Sequence, residues 1–240
     1  MKRYKTLIQF VFITFLMLVI IILSQRQQLN RPASHIEIRF DQKKEMLVDS
    51  DSVNKLLIQI VQQHSARLKD GIVLSKAENG IESMSGVRNA EVFSTISGVL
   101  VAEIQQKKVR AKVIGANPYY IDELGFILPI SERYEPKVTM IRPIDTLEID
   151  GSDVIRMLDG IESQEILNKD LQEIIQIGPS RFSLLFNSLP FEIILGETMN
   201  VEQKLTNLIA FLIKAEKEKS LGQYRIVNLS FNNQVVATKK

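Results

Sequence analysis

From Leu7 to Leu23 the chain reads LIQFVFITFLMLVIIIL, a run with no charged residue and with Gln9 and Thr14 as its only polar interruptions. A helix over this run reaches about 26 Å at ~1.5 Å per residue, close to the ~30 Å hydrocarbon core of a bilayer. Ser24 can cover the shortfall. A cleaved secretory signal would have a shorter apolar stretch ending in small residues, whereas Ser24-Gln25-Arg26-Gln27-Gln28 offers no such exit. The expectation is an uncleaved membrane anchor over residues 7–24 behind a cytoplasmic tail, residues 1–6. Lys2, Arg3 and Lys5 precede the run and Arg26 and Arg31 come after it, so the positive-inside rule puts the N-terminus in the cytoplasm and the remainder outside it.

The segment beyond the anchor is long enough for two domains of ordinary size. The formal charge is only +2 and the basic residues are dispersed, so nothing marks a nucleic-acid interface. With no cysteine, disulfides, thiolate metal sites and cysteine nucleophiles are excluded. With no tryptophan and 7% aromatics, the cores must be built mainly from Ile, Leu and Val.

Residues 25–34 are polar, contain Pro32 and lack an apolar period, as a juxtamembrane linker does. His35-Ile36-Glu37-Ile38-Arg39-Phe40 then alternates with period two, the mark of a half-buried strand. Val53, Leu56, Leu57, Ile60 and Val61 recur at helical spacing. Ser75 with Glu78 fits a capping box opening a second helix that ends at Gly86, and Val87 to Ser97 and Val99 to Gln105 read as strands joined at Gly98. The expectation for residues 35–108 is a βααββ domain.

Residues 109–238 are expected to form a second domain, a mixed, mainly antiparallel sheet with flanking helices, which makes the whole chain α+β. Strand patterns lie at Val109 to Ile114, Tyr119 to Ile121, Phe126 to Ile130, Lys137 to Ile141, Leu171 to Ile177, Arg181 to Phe186 and Phe191 to Leu195. Helical spacing appears at Val154, Ile155, Leu158 and Ile161, and again from Val201 to Leu212, where Asn200 with Gln203 fits an N-terminal cap. Tyr224 to Phe231 reads as a closing strand that Val235-Val236 extends.

Catalytic constellations are missing. No GxxxxGK[ST], GxGxxG or GxSxG motif occurs, and His35 and His64, the only histidines, have no ligand spacing. The carboxylates Asp122-Glu123 and Asp145, Glu148, Asp150, Asp153 fit a turn and a helix N-terminus better than acid–base work. The expectation is no enzyme activity, no cofactor, no metal and no small-molecule substrate. A terminal strand left at a sheet edge could instead accept a partner strand.

The whole pattern resembles the FtsQ/DivIB family of bacterial cell-division proteins. Gly86-Val87-Arg88-Asn89-Ala90-Glu91-Val92 resembles the "V-x-x-A-x-V" of a POTRA second strand, and the βααββ block resembles that module. Tyr119-Tyr120-Ile121-Asp122-Glu123-Leu124-Gly125 with Leu128-Pro129-Ile130-Ser131 after it is similar to the family's "YYID-x-x-G…mPlS", and Asn228 to Val236 to its closing strand. The ending Asn233 to Lys240 is most like versions from Bacteroidetes-type bacteria. Gln105-Gln106-Lys107-Lys108 departs from the "E-x-x-P" that many members carry. The resemblance implies a non-enzymatic divisome scaffold in the inner membrane, at the division septum and with its bulk in the periplasm. Its partners would be other septal proteins and an FtsB/FtsL-type coiled-coil pair, bound through an edge strand from Tyr224 to Val236. Partner-facing residues would be Tyr224, Ile226, Asn228, Ser230, Asn232, Gln234 and Val236, with proline at Ser230 removing a ladder donor. A POTRA-bearing chaperone or translocation component is a second reading; a membrane-anchored envelope hydrolase is a third.

Overall fold

The computed structural model describes residues 12–20, 35–41, 47–63, 71–131, 134–144, 148–231 and 234–240. Residues 12–20, within the expected anchor, form a helix (α1) with exposed apolar side chains such as Phe15 and Met17. Among the described residues no helix is long and apolar enough to cross a membrane. The tail, the remainder of the 7–24 anchor and the 25–34 linker lie outside the described residues. The chain divides into two compact units, Met1–Gln106 and Lys107–Lys240.

In the first unit the order is β1 (His35–Phe40), α2 (Ser50–Gln63), α3 (Gly71–Glu82), β2 (Val87–Ser94) and β3 (Val99–Gln106). The sheet order is β1-β3-β2, with β1 parallel and β2 antiparallel to β3. Gly98 supplies the positive φ that closes the β2–β3 turn. Val53 and Leu57 of α2 and Ala77 and Ile81 of α3 pack on Ala90, Val92, Ala102 and Ile104 of the sheet. Buried Gln106 accepts hydrogen bonds at Oε1 from the amides of Leu47 and Val48, at 2.8 and 3.2 Å. Gln106 thus ties the approach to α2 onto the end of β3.

The capping box expected at Ser75 and Glu78 does not form. Helix α3 begins at Gly71 and ends at Glu82, short of Gly86, so Ser75 is interior, and Glu78 instead accepts from the Val92 amide at 2.9 Å. The competing partner is a strand amide that no local pattern reveals.

The second unit runs β4 (Val109–Val113), β5 (Tyr119–Asp122), β6 (Ile127–Pro129), β7 (Thr139–Arg142), α4 (Gly151–Glu162), α5 (Glu165–Asn168), β8 (Leu171–Gly178), β9 (Arg181–Phe186), β10 (Glu192–Glu197), α6 (Val201–Lys217), β11 (Tyr224–Asn228) and β12 (Val236–Lys239). One nine-stranded sheet has the order β12-β11-β10-β9-β8-β7-β4-β5-β6. It is mixed: β4·β7, β7·β8 and β10·β11 are parallel and the other pairs antiparallel. Val154, Met157, Ile161, Leu167, Val201, Leu205 and Leu208 from the three helices share one core with Ile141, Ile174, Leu184, Ile193 and Val227 from the strands. All three helices therefore cover the same sheet face. On the other face Tyr134 packs edge-on against Tyr120, whose hydroxyl donates to the Tyr134 carbonyl at 3.0 Å.

Asn200 does not cap α6 with its side chain. It sits at φ 54 without a side-chain cap bond, and Gln203 donates to Asn207 instead. The left-handed region admits asparagine at modest cost, so here the residue supplies a bend.

Candidate functional site

Three of the carboxylates singled out in the sequence, Asp122, Asp150 and Asp153, have structural partners. Asp122 Oδ1 accepts from the amides of Leu124 and Phe126, at 2.9 and 2.8 Å, closing the β5–β6 turn. Asp150 is the N-cap of α4 and accepts from the Ser152 amide at 2.8 Å. Asp153 is buried and takes hydrogen bonds from Thr198 and Arg156. Glu148 offers its carbonyl to Gln176, and Asp145 lies outside the described residues. They hold turns and helix ends together.

The chain's C-terminal end is built differently from the single strand expected over Tyr224 to Val236. It is two strands: β11 stops at Asn228 and β12 begins at Val236, and they pair antiparallel. Strand β11 is interior, held on its far side by β10. The edge of the sheet is β12.

The two-strand arrangement sets where each described member of the expected partner-facing set lies. A register shift between Tyr224 and Ile226 breaks the simple alternation, because the extra residue of a bulge lets two successive side chains share a face. Tyr224 consequently faces the helices, with its ring 5.2 Å from Phe211 and 6.3 Å from Phe191. Ile226 pairs with Glu192 and Thr238, and Asn228 with Ile194 and Val236. Both point to the sheet face opposite Val227, which is the face without helices. Ser230 lies beyond β11, and its amide donates to Asn228 Oδ1 at 2.8 Å, not to a ladder. A proline there would remove a local turn bond and leave the sheet edge unblocked. Its hydroxyl packs against Gly196, where a Cβ would stand 2.5 Å from it. Asn232 lies outside the described residues. Gln234 is exposed in the link, and Val236, 42% exposed, opens β12.

Three residues outside the predicted set complete the edge: Ala237, Thr238 and Lys239. The Lys240 amide donates to the Gln223 carbonyl at 2.8 Å. Antiparallel strands alternate the direction of their polar groups, so Thr238 faces β11 while the amides and carbonyls of Ala237 and Lys239 point outward. No hydrogen bond joins those groups to another described residue. The polar pair Asn232-Asn233 between two β-forming stretches was the available hairpin signal.

The opposite edge of this sheet is β6. There the Asp122 amide donates to the Phe126 carbonyl at 2.9 Å, and the same alternation turns Ile127 and Pro129 outward. Proline has no N–H, which blunts that edge. Strand β12 is the better acceptor of the two, and its flank is basic, with exposed Arg225, Lys239 and Lys240.

The FtsQ/DivIB, C-terminal related family matches residues 110–238, more than half of the 240 residues and nearly the whole sheet from β4 to β12. No curated protein matches the chain. With the Asp122 turn and all of the terminal hairpin but Lys239 inside the matched segment, the chain belongs to the FtsQ/DivIB C-terminal related family.

Proposed function

We propose that this chain is a non-enzymatic scaffold of bacterial cell division that takes its partner by strand addition at β12. Family membership supports the cell-division role. The observation that carries the binding mode is the edge itself: outward amides and carbonyls at Ala237 and Lys239 at the end of the sheet. Main-chain hydrogen bonds to that edge give a generic ladder, and alternate side chains choose the partner. Val236 and Thr238 would flank it on one face, Ala237 and Lys239 on the other. A coiled-coil pair of the FtsB/FtsL type, contributing an extended segment beyond its helices, is the partner that the family relationship favours. The first unit, with its βααββ order, is read as a POTRA module presenting a second surface. The apolar run over residues 7–24 is read as the anchor that holds both units at the inner membrane, on its periplasmic side at the septum.

Two measurements test this. Ala237→Pro deletes an outward N–H without touching the β11 pairing, since proline is tolerated at edge positions whose N–H faces solvent. It is expected to abolish co-purification of the full-length protein with the coiled-coil pair while the melting temperature stays near that of the parent. Unchanged co-purification would remove the β12 assignment. Depletion in cells is expected to give filaments without septa; normal division would remove the scaffold role.

A further inference from the structure

The two edges of the smaller sheet are unequal, and the difference is set by side chains of α3. In β2 the amides of Ala90 and Val92 point away from β3, and each is taken by a carboxylate of α3: Glu82 Oε1 at 3.1 Å from Ala90 and Glu78 Oε1 at 2.9 Å from Val92. These two oxygens stand where the carbonyls of an added strand would stand. The β2 edge is therefore closed.

Strand β1 has no such cover among the described residues. The Asp41 amide donates to the Ile104 carbonyl at 3.1 Å. In a parallel pair the N–H and C=O of one residue point to the same side and those of the next residue to the other. Ile36, Ile38 and Phe40 therefore turn their main-chain groups outward from the sheet. Their side chains are half-buried on the helix side, in the same cluster as Ile60 and Val61 of α2. On the opposite face, register places Glu37 beside Val101, and Glu103 between Arg39 and Glu91. Arg39 bridges Glu37 at 2.9 Å and Glu103 at 3.0 Å, so two carboxylates share one guanidinium and leave this face net negative.

From this we infer that β1 is a second strand-accepting edge, independent of β12, and that its partner is an extended segment alternating apolar with basic residues. The apolar positions would pass beneath α2 beside Ile36, Ile38 and Phe40. The Lys or Arg positions would lie beside Glu37 on β1, with Glu103 on the next strand behind it, where charge complementarity selects them.

The probe is a synthetic octapeptide of alternating Val and Lys, with an alternating Val and Glu peptide as control, added to the full-length protein in detergent micelles. At saturation the Val/Lys peptide is expected to slow amide exchange at Ile36, Ile38 and Phe40 about tenfold or more, with no change at Ala90 and Val92. Glu37→Gln combined with Glu103→Gln is expected to weaken that binding several-fold, with the melting temperature showing that the fold persists. The protection should survive in Ala237→Pro, which separates this edge from β12. Absent protection at β1, equal protection by the Val/Glu peptide, or protection at Ala90 and Val92 instead would each overturn the inference.

Discussion

Gly151 shows how tightly single residues are committed in this fold. A Cβ placed on it would lie 1.9 Å from the Gly125 carbonyl oxygen, and Gly125 itself sits at φ +87 against the same helix start. The β5–β6 turn, closed by Asp122, is thus pressed onto the N-terminus of α4, and backbone meets backbone with no room to yield. Gly151→Ala should cost about 3 kcal/mol in denaturant unfolding. Gly71→Ala, whose Cβ would meet nothing within 4 Å, should be neutral or slightly stabilising in the same experiment. Asp150 makes a second prediction at this scale. Hydrogen bonding from Ser152 holds its carboxyl below the ordinary aspartate range. A depressed folded pKa means that its contribution is present above the unfolded pKa and is lost as pH falls through the folded one. Asp150→Asn should keep the cap yet flatten the loss of stability in acid, whereas Asp150→Ala should cost about 1 kcal/mol at neutral pH. Thermal melts across the acid range distinguish the two.

At the scale of elements, two strand edges are closed by different devices, a proline in β6 and helix carboxylates against β2, while β12 and β1 keep outward main-chain groups. Local pattern exposes only some of this. Period-two alternation shows β1 in the sequence, and the Val201 to Leu212 stripe shows α6, because both bury one face and polar residues must take the other. The roles of Glu78 and Asn200 were not legible, since short-range capping geometry competes with partners distant in sequence or with a backbone bend. Glu78→Ala with Glu82→Ala should speed amide exchange at Ala90 and Val92 and lower stability by about 1 kcal/mol per bond. Lys204 links elements in a similar way: its ammonium donates to the carbonyls of Leu195 and Glu197, fastening α6 to the end of β10, and burial lowers its pKa.

For the whole molecule, the two units carry separate hydrophobic cores, one around Leu57 and Ile81 and the other around Leu205 and Ile193. Each core is filled by side chains of its own unit, so destabilisation should stay local. Leu57→Ala and Leu205→Ala, at positions with no exposure, should each cost about 2–5 kcal/mol. Each should lower the melting of its own unit, read by exchange at Val92 or at Val227. A common shift of both would show that the cores unfold as one.

The sequence by itself determined the α+β class, the βααββ order, the mixed sheet of the second unit and, through the Tyr119 to Gly125 phrase, the family. These depend on periodicity and turn chemistry, which are local. Only the tertiary structure decided that β11 is enclosed between β10 and β12 and that the open groups lie at Ala237 and Lys239. Whether a strand is interior or edge depends on which neighbours the whole chain brings beside it, and no window of sequence contains that information.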